Sequence, residues 1–163
     1  MSRAFVKEGD GGLDPLPDLP ISPHPNYVTP QGLAALQTRL HTRQADLTAL
    51  KARPDRLNKL PEAAAERDIR YIEARLRSAQ VIDPATQPLT AMAFGLVALV
   101  EDEAGQRRRY QIVGEDQADA SQGLIAPHSP LARALIGAKP GDDLLWPRPA
   151  GTVTLTLISL SKP

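Results

Sequence analysis

The residues best suited to chemistry lie in "LKARPDRLNKLPEAAAERDIR", residues 50–70, where Asp55 and Glu62 flank a proline-broken bend and Glu66 and Asp68 follow. Paired carboxylates supply the hard oxygen ligands that hold magnesium ions and orient an attacking water in metal-assisted phosphodiester hydrolysis. Arg53, Arg56 and Lys59 stand among them. Cations so close neutralise a weak carboxylate site and repel a metal ion. The stretch therefore reads as a bend rather than a metal centre, with Asp55 and Glu62 the acids to test if it is one. No metal and no cofactor is expected.

Other candidates are weaker. His24, His41 and His128 have no ligand spacing, and the chain has no cysteine, so zinc and disulfide chemistry are not expected. No glycine-rich phosphate loop occurs. Arg107, Arg108 and Arg109 face Glu101, Asp102 and Glu103 across a turn, which predicts cross-strand ion pairs ahead of nucleic-acid contact. Ser129 followed by Pro130 is the chemistry of a helix start, which explains the serine without a partner. Lys plus Arg and Asp plus Glu balance at 19 each, so no global field points to nucleic acid or membrane. Residues 31–83 are mildly basic, with 10 cations against 7 acids, as a solvated helical surface would be. With no apolar run of membrane-spanning length and no apolar core in "MSRAFVKEGDGG", a soluble cytoplasmic protein is expected.

The elements that position these groups follow from periodicity. Residues 1–28 form a first segment in which Pro15, Pro17, Pro20, Pro23 and Pro25 remove backbone donors and fix φ, so neither helix nor sheet is expected. The prediction is an extended or disordered arm, whose end Tyr27 and Val28 can anchor. Thr29 and Pro30 then start a helix carrying Leu33, Leu36, Leu40, Leu47 and Leu50 at coiled-coil spacing, with Arg43 on the missing step. Pro54 ends it near Arg53. A second helix from about Pro61 repeats the pattern at Ala65, Ile69, Ile72, Leu76 and Ala79. An antiparallel coiled-coil hairpin over 29–83 is predicted, its arms about 30–36 Å long at helical rise. Residues 84–163 read as an α+β unit. Residues 91–100 are strand-like, residues 107–113 pair back, "LIA" is a short strand, "SPLARALIG" a short helix, and "LLW" and "TVTLTLISL" complete an antiparallel sheet. Phe94, Tyr110 and Trp146 belong to its core or rim.

Several blocks occur in the same order as in a known family: "YVTPQGLAAL", "IRYIEARLRSAQVID", "FGLVALVEDEAGQRRRYQIVGEDQAD", "HSPLARALIGAKPGDDLLW" and "PAG". Over residues 27–160 the chain resembles the bacterial GreA/GreB transcript-cleavage factors. The resemblance implies an FKBP-like C-terminal domain that docks on the rim of the RNA polymerase secondary channel, with the coiled coil projecting toward the catalytic centre. The matching loop and helix start are His128, Ser129, Pro130, Leu131 and Arg133. In cleavage factors, acids within Gly-Asp-x-x-Glu-Asn-Ala-Glu-Tyr at the tip help hold a second magnesium ion and a water. That motif is absent here, and the hairpin is shorter by about 20 residues, some 15 Å of reach per arm. The family's catalytic acids therefore carry over to no position.

With the tip motif missing, the expectation is a non-catalytic, polymerase-binding regulator of elongation or initiation, with Arg53, Arg56 and Lys59 as the tip contacts. DNA would be touched only indirectly, and membranes not at all. A monomer is expected, with self-association through the hairpin as an alternative. Two further readings compete: an interaction protein like the short-hairpin nucleoside diphosphate kinase regulators, and a prolyl isomerase. The second would need Phe94, Tyr110 and Trp146 to line one apolar pocket, and fold alone does not imply it.

Overall fold

The computed structural model describes residues 14–163; the part of the expected proline-rich arm before Asp14 lies outside the described residues. Residues 14–26 run without regular structure, as their prolines dictate. The expectation that no sheet forms in this segment is corrected at its end. Tyr27–Val28 (β1) pairs in parallel with Gln80–Val81 (β2). No proline occupies 26–29, so backbone groups are free to bond. Gln80 N–H donates to Asn26 O at 2.8 Å and Ile82 N–H to Val28 O at 2.9 Å.

Helix α1 (Pro30–Lys51) starts where local chemistry dictates: the Thr29 hydroxyl accepts from Gly32 N–H at 3.0 Å and proline occupies the first turn. Helix α2 spans Leu60–Ser78. The helices hold 22 and 19 residues, about 33 and 29 Å of rise. They pack as an antiparallel hairpin, with Lys51 bridging Glu66 at 2.9 Å and Arg43 bridging Asp68 at 3.4 Å. The seam is thin. Leu36, Ala65 and Ile72 are buried, whereas Leu40, Leu47, Leu50 and Ile69 are half-buried. Arg43 on the missing core step also reaches Asp46 at 3.2 Å, so acids from both helices meet its charge.

The C-terminal half is an α+β sheet in the order β5-β4-β3-β7-β6. Its strands are β3 (Val97–Asp102), β4 (Arg107–Ile112), β5 (Leu124–Ile125), β6 (Asp143–Trp146) and β7 (Val153–Ser161), with α3 (Pro130–Leu135) across one face. Two expectations need correction. First, β5 joins β4 in parallel, so the sheet is mostly rather than wholly antiparallel. Second, the apolar run 91–100 becomes strand only from Val97. Gly95 has φ +87°, and a Cβ there would stand 2.7 Å from Pro84 Cγ, so the chain turns tightly under Pro84 before it can extend. Upstream, Met92 exchanges backbone hydrogen bonds with Gly137 and Ala138 at 2.8 Å each.

In β7, Leu155 and Leu157 face the core as alternation predicts. A register shift opposite Leu99 and Val100 then moves the inward parity to Leu160. The core joins Leu96, Ala98, Val100, Ile112 and these leucines to Leu131, Ala132 and Leu135 of α3. Among the described residues no helix is long and apolar enough to cross a membrane.

Candidate functional site

At the hairpin tip the loop is held by its own side chains. Asp55 Oδ1 accepts from Leu57 N–H at 3.0 Å, and Asn58 Oδ1 from Leu60 N–H at 3.0 Å. Arg53 donates to Leu50 O at 3.1 Å and Asn58 O at 3.4 Å. Arg56 grips Glu62 with two parallel hydrogen bonds, Nε to Oε1 at 2.9 Å and Nη2 to Oε2 at 2.7 Å. Hydrogen bonding from Arg56 holds the Glu62 carboxyl below its ordinary range. Burial opposes this, while the charges of Arg56, Arg53 and Lys51 reinforce it. The pair reciprocally raises the Arg56 guanidinium.

Asp55 and Glu62 are thus both engaged within the loop, on different partners. Among the described residues no group of three or more His, Asp or Glu side chains is arranged to hold a metal ion. Lys59 sits at the N-cap of α2 without making a side-chain cap. The apex itself is apolar: Leu57 is 95% exposed and Leu60 52%. Sequence reading missed Leu57 because charges dominate its neighbours.

The second cluster is the loop into α3. Ser129 Oγ accepts from Ala132 N–H at 3.3 Å and donates to Ala126 O at 2.8 Å, a cap and a loop brace together. Pro130 and Arg133 are exposed, and Arg133 enters no ion pair among the described residues. Leu131 differs from the expectation of a contact residue: at 3% exposure it belongs to the core and anchors the loop from beneath. Beside the loop an apolar recess of about 600 Å³ is lined by Tyr27, Met92, Phe94, His128, Arg133 and Ile136. His128 stacks on His24 of the N-terminal arm, with ring centroids 3.6 Å apart and planes 21° from parallel. Its Nε2 is buried without a hydrogen-bond partner among the described residues. The histidine spacing gave no hint of this contact, because stacking needs only spatial proximity.

A third cluster joins hairpin to sheet, through residues that the sequence reading did not single out. Arg75 on α2 is 1% exposed. Its Nε donates to Asp116 Oδ2 at 2.6 Å and its Nη2 to Asn26 Oδ1 at 2.7 Å, with Glu115 at 3.4 Å. Tyr71 donates to the other Asp116 oxygen at 2.6 Å, and Thr29 to Gln117 Oε1 at 2.6 Å. Desolvation first, then the bond to Asp116, pushes the Tyr71 phenol up to about 12. One loop, residues 115–117, thereby fixes the base of the hairpin.

The remaining expectations are met in part. Arg107 pairs with Glu101 at 2.6 Å, but Arg108 and Arg109 lie opposite Val100 and Leu99 rather than acids. Tyr110 and Trp146 meet edge to face, 6.3 Å apart, in a recess of about 250 Å³ that also takes charged Asp102, Arg108 and Arg148. Phe94 packs instead on Tyr27, 5.9 Å away, so the three aromatics do not converge.

Residues 87–162 match the family model described as "Transcription elongation factor, GreA/GreB, C-term". A transcription elongation factor GreA of Psychrobacter sp. (strain PRwf-1) is 38% identical over 150 residues, spanning 82% of this chain and 95% of the relative. A transcription elongation factor GreB of Xanthomonas axonopodis pv. citri (strain 306) is 34% identical over 154 residues, spanning 82% and 89%. Among solved structures, GreA factor homolog 1 of Thermus thermophilus aligns with a TM-score of 0.40 at 22% identity, covering 85% of this chain and 99% of that one.

Proposed function

The chain belongs to the GreA/GreB family of transcription elongation factors, and from that premise we propose that it binds bacterial RNA polymerase and modulates elongation without supplying cleavage carboxylates. The α3 loop docks on the rim of the secondary channel through His128, Ser129, Pro130 and Arg133. The short hairpin occupies the channel mouth, presenting Arg53, Arg56, Lys59 and the exposed Leu57. The protein acts as a cytoplasmic monomer, and nucleic acid is affected only through polymerase. It therefore competes with longer factors for one docking surface.

The observation that carries the non-cleaving reading is the Arg56 grip on Glu62. Both carboxylate oxygens are taken up by one guanidinium at 2.9 and 2.7 Å, and Asp55 is turned back onto its own loop. A metal ion would have to displace a charge-assisted bidentate pair and then sit among cations. The test is RNA cleavage in backtracked elongation complexes with magnesium, with this protein alone and together with a full-length cleavage factor. We expect no shortening by the protein alone and slower shortening by the full-length factor in its presence. RNA shortening by the protein alone, abolished by Asp55→Asn or Glu62→Gln, refutes the reading of the tip. No effect in either arm, together with failure to co-purify with polymerase, removes polymerase as the partner.

A further inference from the structure

The arm upstream of Asn26 and the chain downstream of it are held very differently. Asn26, Val28 and Thr29 are 5%, 3% and 0% exposed. They are fixed by the β1–β2 pair and by Asn26 Nδ2 donating to Arg75 O at 2.8 Å. Residues 14–25 contain no fully buried residue. They rest on a few surface contacts: Arg70 to Leu16 O at 2.9 Å, Arg70 to Asp18 at 2.6 Å, and Ser22 to Glu115 at 2.9 Å. The Arg70–Asp18 pair is solvent-exposed, with side chains at 39% and 75%, and such pairs hold weakly against water. Between the arm and α2 lies a recess of about 200 Å³, lined by Leu19, Ile21, Tyr71, Ala74 and Arg77. Its last contact is the His24 ring on the His128 ring. That contact covers one face of the His128 ring, whose Nε2 is buried without a partner among the described residues. A buried polar atom left unpaired disfavours the arrangement that buries it.

We propose that residues 14–25 form a strap that closes over His128 of the α3 loop through His24 and lifts, hinging at Pro25 just before the fixed Asn26, when that loop is used. The inference rests on the polymerase reading of the loop. In the closed form His24 occupies the face of His128 that a partner would meet. In the open form the uncovered His128 joins Pro130 and Arg133, which are exposed in both forms, and Nε2 becomes free to bond. The strap thus makes docking conditional on release of the chain's own N-terminal segment, and apparent affinity scales with the fraction of molecules in which His128 is uncovered.

The test uses the full chain and the variant carrying Asp18→Asn, Ser22→Ala and His24→Ala, all at surface positions whose loss leaves the core intact. A His24→Phe chain, which keeps a ring to stack, is the control. Affinity for RNA polymerase is measured alongside the imidazole NMR signals of His128. The triple variant should shift the His128 signals and bind about threefold more tightly or better, as expected if the loop is uncovered about a third of the time. His24→Phe should stay close to the unaltered chain. Equal affinity despite a shifted His128 signal overturns the strap and leaves the polymerase reading intact. Weaker binding overturns it too, making the arm part of the contact. No binding by any chain overturns the polymerase reading and the strap with it.

Discussion

Replacing Arg75 with methionine removes the charge at the junction while keeping most of the side-chain volume. In the native fold Arg75 is 1% exposed and bonds Asp116 at 2.6 Å and Asn26 at 2.7 Å. Without it the Asp116 carboxylate, whose side chain is 9% exposed, keeps only the Tyr71 hydroxyl among the described residues, and Asn26 Oδ1 loses its donor. An unpaired buried acceptor costs about 1–3 kcal/mol, more when charged. Breaking a buried ion pair from one side costs about 3–5 kcal/mol. The retained Tyr71 bond places the expectation near the lower end, about 3 kcal/mol, or a melting temperature lower by roughly 6–12 °C for a chain of this size. Urea and thermal denaturation followed by circular dichroism measure both quantities. Arg75→Met with Asp116→Leu should recover part of the loss, since the second change removes the stranded charge. A cost under about 1 kcal/mol for Arg75→Met, a value ordinary for surface changes, refutes the assignment of this cluster as the hairpin's foundation.

The Glu62 carboxyl is held below its ordinary value of 4.5 by Arg56, so its contribution to hairpin stability is present above that pH and is lost as pH falls through the lowered value. Glu62→Gln should remove that acid-side component from the stability profile, and an unchanged profile refutes the grip. The Tyr71 phenol titrates at about 12 in the fold, so what it contributes is complete below its ordinary value of 10.0 and fades as pH rises through the raised one. Ultraviolet titration should show Tyr71 ionising late, and Tyr71→Phe should delete that late phase and cost about 1.5 kcal/mol for a hydrogen bond to a charged group. Gly95→Ala forces a left-handed φ of +87° on a residue with a Cβ 2.7 Å from Pro84 Cγ and should cost about 2 kcal/mol or more in denaturant titration. A neutral result would mean that the turn before β3 relaxes freely.

Local chemistry was the legible part of the sequence. Thr29–Pro30 and Ser129–Pro130 start helices because their hydroxyls cap nearby amides, an interaction spanning three residues. The hairpins and the strand alternation of Val153, Leu155 and Leu157 are similarly short-range. What escaped depends on chain segments far apart. The β1–β2 pair joins Tyr27 to Gln80, and β5 pairs in parallel with β4, a choice that no turn signal announces. Arg75, in "IEARLRS", has the look of a surface cation on an amphipathic helix. Its partners Asn26 and Asp116 lie 49 and 41 residues away, and only the folded chain reveals that it is interior. At the tip, residue types were readable but their pairing was not. Asp55 and Glu62 look equivalent in sequence, yet one holds a loop amide and the other a guanidinium. Leu131 shows the reverse error, since a position inside a matched loop need not face outward.

The strands that enter and leave the helical hairpin are paired at its foot, where Tyr27 lies beside Gln80 and Val28 beside Val81. The Arg75 cluster locks the same level. Everything that sets the direction in which the hairpin points therefore sits at one end. Reach is then an independent variable: trimming or adding matched turns near Leu57 changes how far the hairpin extends and leaves its aim unaltered, as shortening a rod does not turn its socket.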